Sequence, residues 1–106
     1  MNAWPRAGIA AVLAIVACSA FAQDASSLRT RSLAASCAAC HGTDGRAAVG
    51  ASLPGLANMP APDLIEQMKA FKSGARAGTV MPQLAKGYTD AQIEQLAAWF
   101  AKAPKK

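Results

Sequence analysis

No stretch of this 106-residue chain alternates apolar and polar residues for long enough to form a half-buried strand. Internal repeats and low-complexity segments are missing as well. Those absences set aside sheet-based and solenoid architectures, and the length allows one small domain. Lys and Arg outnumber Asp and Glu, 11 to 6, yet they never run longer than Lys105-Lys106. The chain therefore lacks the basic arm of a nucleic-acid binder, and its diffuse positive charge suits an acidic protein partner. Histidine occurs once and cysteine three times. That supply is too small for a disulfide framework. It is also too small for the two spaced ligand pairs of an ordinary structural zinc site.

Long apolar runs are absent too. The stretch GIAAVLAIVA, Gly8 to Ala17, ends far short of the about 20 residues that a membrane-spanning helix needs. It follows a weakly positive start, Asn2 to Arg6, and precedes the small-x-small site Ala20-Phe21-Ala22. This is the three-part layout of a secretory leader. We expect residues 1–22 to be a cleaved signal peptide and 23–106 to be the domain, delivered to the periplasm. Ile15-Val16-Ala17-Cys18 offers a competing lipoprotein box that would leave Cys18 as a lipid anchor. The A-x-A form favours simple cleavage after Ala22. Removing the leader takes away one basic residue, Arg6, and leaves two cysteines. A domain of that size is hard to stabilise with its own side chains alone, and a large apolar cofactor would complete its core.

Three helices are predicted. The first runs from about Ser26 to Ala39, with Ser26 or Ser27 as its cap. The second runs from about Pro62 to Ser73, with Pro62 at its start and Gly74 at its stop. It places Leu64, Ile65, Met68 and Phe71 on one face. The third has Thr89 as N-cap, Gln92 as capping-box partner and a Tyr88–Ile93 staple. Ile93, Leu96, Ala97 and Phe100 form its apolar stripe, and Pro104 ends it. Two turn-rich loops, 42–61 and 74–88, lie between the helices. A flat cofactor held between them would explain their length.

The chemistry concentrates at Cys37-Ala38-Ala39-Cys40-His41. A zinc site would have to recruit carboxylates, which would be unusual. A redox dithiol belongs at the start of a helix beside a βαβ unit, and this motif is expected to end a helix. An ordinary helix end with two buried thiols is a further alternative. C-x-x-C-H is the attachment signature of haem c. Thiols at i and i+3 project from one side of a helical turn and reach two neighbouring vinyl groups, while His41 is free to bind iron. A second axial ligand would come from methionine, which favours electron transfer. Met68 falls on a helix face and reads as core. Met59 and Met81 both lie in loops before a proline. Met59 follows His41 too closely for a chain that must walk round one haem edge. Met81 lies about twice as far along, with a helix between, and is favoured. A ligating His needs its other nitrogen fixed, and the Pro54 carbonyl is the candidate acceptor for His41 Nδ1.

These residues carry a resemblance. Cys37-x-x-Cys40-His41-Gly42, Pro54-x-Leu56-Ala57, Met81-Pro82 and Thr89-Asp90-x-Gln92-Ile93 through Leu96-Ala97-x-Trp99-Phe100 resemble a class I c-type cytochrome. The stretches SLPGLANM, FKSGARAGTVM and LAKGYTDAQIEQLAAWF are similar to a haem domain of the cytochrome subunit of flavocytochrome c sulfide dehydrogenase. The resemblance implies an all-α fold, with N- and C-terminal helices packed together and loops wrapping one covalently bound haem c. It implies His41 and Met81 as axial ligands. The protein would be an electron carrier cycling between Fe(II) and Fe(III), not itself an enzyme. Its partners would be redox proteins, such as a flavoprotein or a terminal oxidase, and neither nucleic acid nor a membrane span is expected. The alternative is a subunit of a sulfide-oxidising complex. This chain has one C-x-x-C-H and no flavin-binding pattern, so sulfide chemistry would occur on a separate chain. Lys69, Lys72, Arg76 and Lys86 are candidates for steering an acidic partner. Arg46, Tyr88 and Trp99 are candidates for bonding the haem propionates.

Overall fold

The computed structural model describes residues 24–103, together with Gly8, Phe21 and Ala22. Cys18, most of the expected leader and the proposed helix stop at Pro104 lie outside the described residues. Those described residues contain helices and no strand. Helix α1 covers 24–35, α2 is Ala38–His41, α3 is Ala61–Ser73, α4 is Met81–Lys86 and α5 is Asp90–Ala101. A 3-10 turn, Thr43–Gly45, follows α2 directly.

Two helix ends follow from local chemistry. Helix α3 has Pro62 in its first turn, where a missing N–H costs nothing, and stops at Gly74 in the left-handed region (φ 84°). Helix α5 opens on a complete capping box. Gln92 N–H donates to Thr89 Oγ1, and Thr89 N–H donates to the Gln92 side chain.

The remaining ends depart from the sequence reading. Helix α1 already includes Ser26 and Ser27, so neither is a cap; the Ser26 carbonyl accepts instead from Thr30 Oγ1. The chain then breaks at Ser36-Cys37 and restarts as α2, so the cysteine motif occupies its own short helix. Helix α4 falls inside what was expected to be loop.

Helix α3 packs against both α4 and α5. The stripe of α5 is fully used: Ile93, Leu96, Ala97 and Phe100 are all buried. They meet Leu64 and Met68 of α3, Ala85 of α4 and Ala34 of α1 in one cluster. Burying each large side chain of that cluster contributes about 1.5–3 kcal/mol. Ala34 joins the first helix to this cluster. The core is small. Val49, Leu53, Val80 and Leu84 stay exposed beside or within the segments that carry Pro54 and Met81.

Candidate haem site

The site begins with one turn of helix. His41 N–H donates to the Cys37 carbonyl at 2.9 Å, and Cys40 N–H donates to the same carbonyl at 3.3 Å. That winding puts Cys37 and Cys40 one turn apart, both as free thiols. Cys40 is exposed and Cys37 half-buried. Burial pushes the Cys37 thiol up, the Ser36 hydroxyl pulls against that, and Cys40 adds to the rise. Redox C-x-x-C motifs need a thiol driven the opposite way, toward thiolate. The position of the motif in a helix does not separate the two readings, because the motif starts its own helix. The raised Cys37 thiol is in keeping with the haem reading.

His41 is buried, and its Nδ1 lies 2.6 Å from the Pro54 carbonyl. A carbonyl only accepts, so Nδ1 carries a proton, and in the neutral ring that leaves the lone pair on Nε2. No described residue bonds Nε2, yet it is not a sealed, unsatisfied atom. An open Nε2 fixed by an Nδ1 hydrogen bond is the arrangement of a metal-binding imidazole.

The backbone explains why Pro54 reaches His41. The chain leaves α2 at Gly42 (φ 85°), where an added Cβ would run into the Arg46 carbonyl. Gly45 (φ 73°) then presents its carbonyl to the N–H groups of Leu56 and Ala57, at 2.7 and 3.0 Å. A Cβ on Gly45 would meet Ala57 N, Leu56 Cβ and Phe100 Cδ1 at 2.8–2.9 Å. Asn58 N–H completes the base of the loop by donating to the Phe100 carbonyl at 2.7 Å. Pro54 is thus delivered by a loop pinned to the 3-10 turn and to α5.

The methionines divide. Met68 is buried in the core, whereas Met59 and Met81 both pack on its margin, as does Cys37. Met81 is the first residue of α4, followed by Pro82. No hydrogen bond links the Met81 segment to His41.

Several side chains proposed for partners or propionates have other duties. Lys72 Nζ donates to the Tyr88 carbonyl at 2.8 Å and to Asp90 Oδ1 at 3.0 Å. Arg76 donates to Gln67 Oε1 at 2.7 Å and lies 4.6 Å above the Phe71 ring. Lys69 and Lys86 remain exposed. Tyr88 Oη bonds Ser36 Oγ at 2.8 Å, and Arg46 pairs with Asp44 at 3.2 Å. Trp99 is half-buried and lines a 410 Å³ cleft between α1 and the end of α5. No cluster of three Cys, His, Asp or Glu able to hold a metal forms among the described residues, the attachment motif included.

The family model described as Cytochrome c matches residues 29–103. The chain belongs to the cytochrome c family. Membership implies a covalently bound haem c and a role in electron transfer, and the two thiols and the open imidazole suit that cofactor. This cytochrome is 33% identical over 105 residues to a thiosulfate dehydrogenase electron acceptor of Stutzerimonas stutzeri, covering 95% of this chain and 48% of that protein. It is 42% identical over 69 residues to a protein of the same description from Thiomonas intermedia, covering 65% and 32%. It is 41% identical over 75 residues to the cytochrome subunit of sulfide dehydrogenase of Chlorobaculum tepidum, covering 70% and 66%. The cytochrome spans a third to a half of the length of the two thiosulfate dehydrogenase acceptors.

Proposed function

We propose that residues 23–106, freed of the leader 1–22 by cleavage after Ala22, act as a periplasmic monohaem electron carrier. Cys37 and Cys40 hold the haem through thioethers, and His41 Nε2 and Met81 Sδ bind its iron. When bound, haem supplies the Fe(II)/Fe(III) couple. The chain's own residues supply the rest. Pro54 fixes the tautomer and direction of His41, so the ligand needs no reorganisation when the iron changes charge. The exposed apolar residues Leu53, Val80 and Leu84 offer surface for excluding water from the cofactor.

The 2.6 Å contact from His41 Nδ1 to the Pro54 carbonyl is the observation that carries this reading. It supports an imidazole held for metal, since no other described residue takes Nε2. The choice of Met81 is tested by replacing Met81 and Met59 in turn with Ala in the haem-loaded protein. Met81→Ala is expected to abolish the methionine-to-iron charge-transfer band at the red end of the ferric spectrum, and Met59→Ala to keep it. The reverse pattern would transfer the assignment to Met59.

A second reading is favoured by the relatives. An electron acceptor and a dehydrogenase subunit from sulfur-compound oxidation both resemble this chain. On that reading the domain takes electrons from a sulfur-oxidising dehydrogenase, a flavoprotein in the sulfide case, as its partner or permanent subunit. Co-purification of a flavoprotein supports permanent docking; a monomer that cycles reversibly without a partner supports the free carrier.

A further inference from the structure

The segment that carries Met81 leaves α3 at Gly74, forms the short helix α4 and joins α5 at Thr89. One side chain closes it across the base. Lys72, in the last turn of α3, donates to the Tyr88 carbonyl and to Asp90 Oδ1, 16 and 18 residues ahead. Tyr88 continues the link. Its N–H donates to the Ala85 carbonyl near the end of α4, and its ring packs on the core margin. Its hydroxyl reaches Ser36 Oγ at 2.8 Å. Ser36 Oγ also lies 2.8 Å from the Leu33 carbonyl, which only accepts, so with its proton there Ser36 takes the Tyr88 hydrogen bond as acceptor. Ser36 directly precedes Cys37, so a chain of hydrogen bonds runs from α3 through the Met81 segment to the attachment motif.

We infer that Lys72 and Tyr88 are positioning residues for the sixth iron ligand, strapping the Met81 segment to α3 and to the residue before Cys37. This rests on the proposal that Met81 binds iron. Neither residue touches the iron. Each limits how far the Met81 segment swings away, and so how often the sixth position opens to another ligand. Loss of one such bond is expected to raise the open population roughly fivefold or more.

The test is the rate at which added imidazole displaces methionine in the ferric, haem-loaded protein, at a temperature where every variant is folded. Tyr88→Phe removes only the hydroxyl, and Lys72→Met only the charged donor. Both are expected to keep covalent haem and the resting methionine band, yet to bind imidazole roughly fivefold faster or more. Lys72→Arg, which keeps a donor cation, is expected to return most of the way to the wild-type rate. Thr89→Ala weakens the neighbouring helix cap without cutting the strap and serves as the control for general destabilisation. Rates in Tyr88→Phe and Lys72→Met that match the wild type, or that match an equal rise in Thr89→Ala, would overturn the inference. Met81→Ala measured alongside separates the two levels. If it retains the band, the ligand assignment fails and this inference fails with it. If it loses the band while the strap variants exchange at the wild-type rate, the strap alone is wrong.

Discussion

At the scale of single residues, several side chains do work that their residue type alone does not announce. Lys72 and Arg76 look like solvated cations on a helix, and each is committed within the chain. The Lys72 bond has an electrostatic consequence. It is the main reason that the Asp90 carboxyl is held below the usual carboxylate range, with Lys69 adding to the effect. A carboxyl whose value drops on folding adds stability that is complete above its unfolded value, near about pH 4, and is lost as pH falls through the folded value. Asp90→Asn is therefore expected to lower the thermal midpoint at pH 7, with the difference from the wild type shrinking as the pH drops below about 4. Asp90 is fully exposed, so the effect is small and weakened by salt. An unchanged difference between neutral and acid pH would show that the Lys72 pair contributes nothing.

At the scale of elements, legibility followed the punctuation in the chain. Helices α3 and α5 were readable because Pro62, Gly74 and the Thr89–Gln92 box mark their ends chemically. Thr89→Ala should cost about 1 kcal/mol. In a domain of this size that lowers the thermal midpoint by roughly 4–8 °C, measurable by circular dichroism. Thr89→Ser, which preserves the cap, should recover most of the loss. The break between α1 and α2 carries no Gly or Pro, only Ser36-Cys37, and periodicity ran straight through it. Helix α4 has only six residues, too short to build a periodic stripe. Pro82 in its first turn and Gly87 just beyond its end are the signals that could have marked it. The capping and breaking rules act locally and can be read from neighbours. The Gly45 anchor and the Lys72–Tyr88–Ser36 chain join residues far apart in sequence, and no local pattern announces them.

At the scale of the whole molecule, a small core sits beside a site assembled from three separate stretches. On the proposed reading, Cys37 to His41 would supply attachment and one ligand, the loop at Pro54 would orient that ligand, and the Met81 segment would supply the other. The motif was legible because covalent attachment demands fixed residue types at fixed spacing. The Pro54 contact was anticipated from the need of any ligating imidazole for a partner, and the pinned loop that delivers it was not. The positive charge, +5 over the chain, narrows to fewer steering candidates once Lys72 and Arg76 are bound internally. Exposed Lys69 and Lys86 are the better sites at which to look for salt-dependent docking to an acidic partner.

The proposed function stands on haem carried by Cys37 and Cys40. Trypsin cuts after Arg31 and Arg46, releasing the peptide Ser32–Arg46 that holds both cysteines and His41. Mass spectrometry of that peptide, from protein matured in a bacterial periplasm and extracted with acidified organic solvent, reads the attachment itself. The expected peptide is heavier by one haem, with neither thiol available for alkylation. A peptide at its unmodified mass, with the haem washed into the solvent, would contradict it.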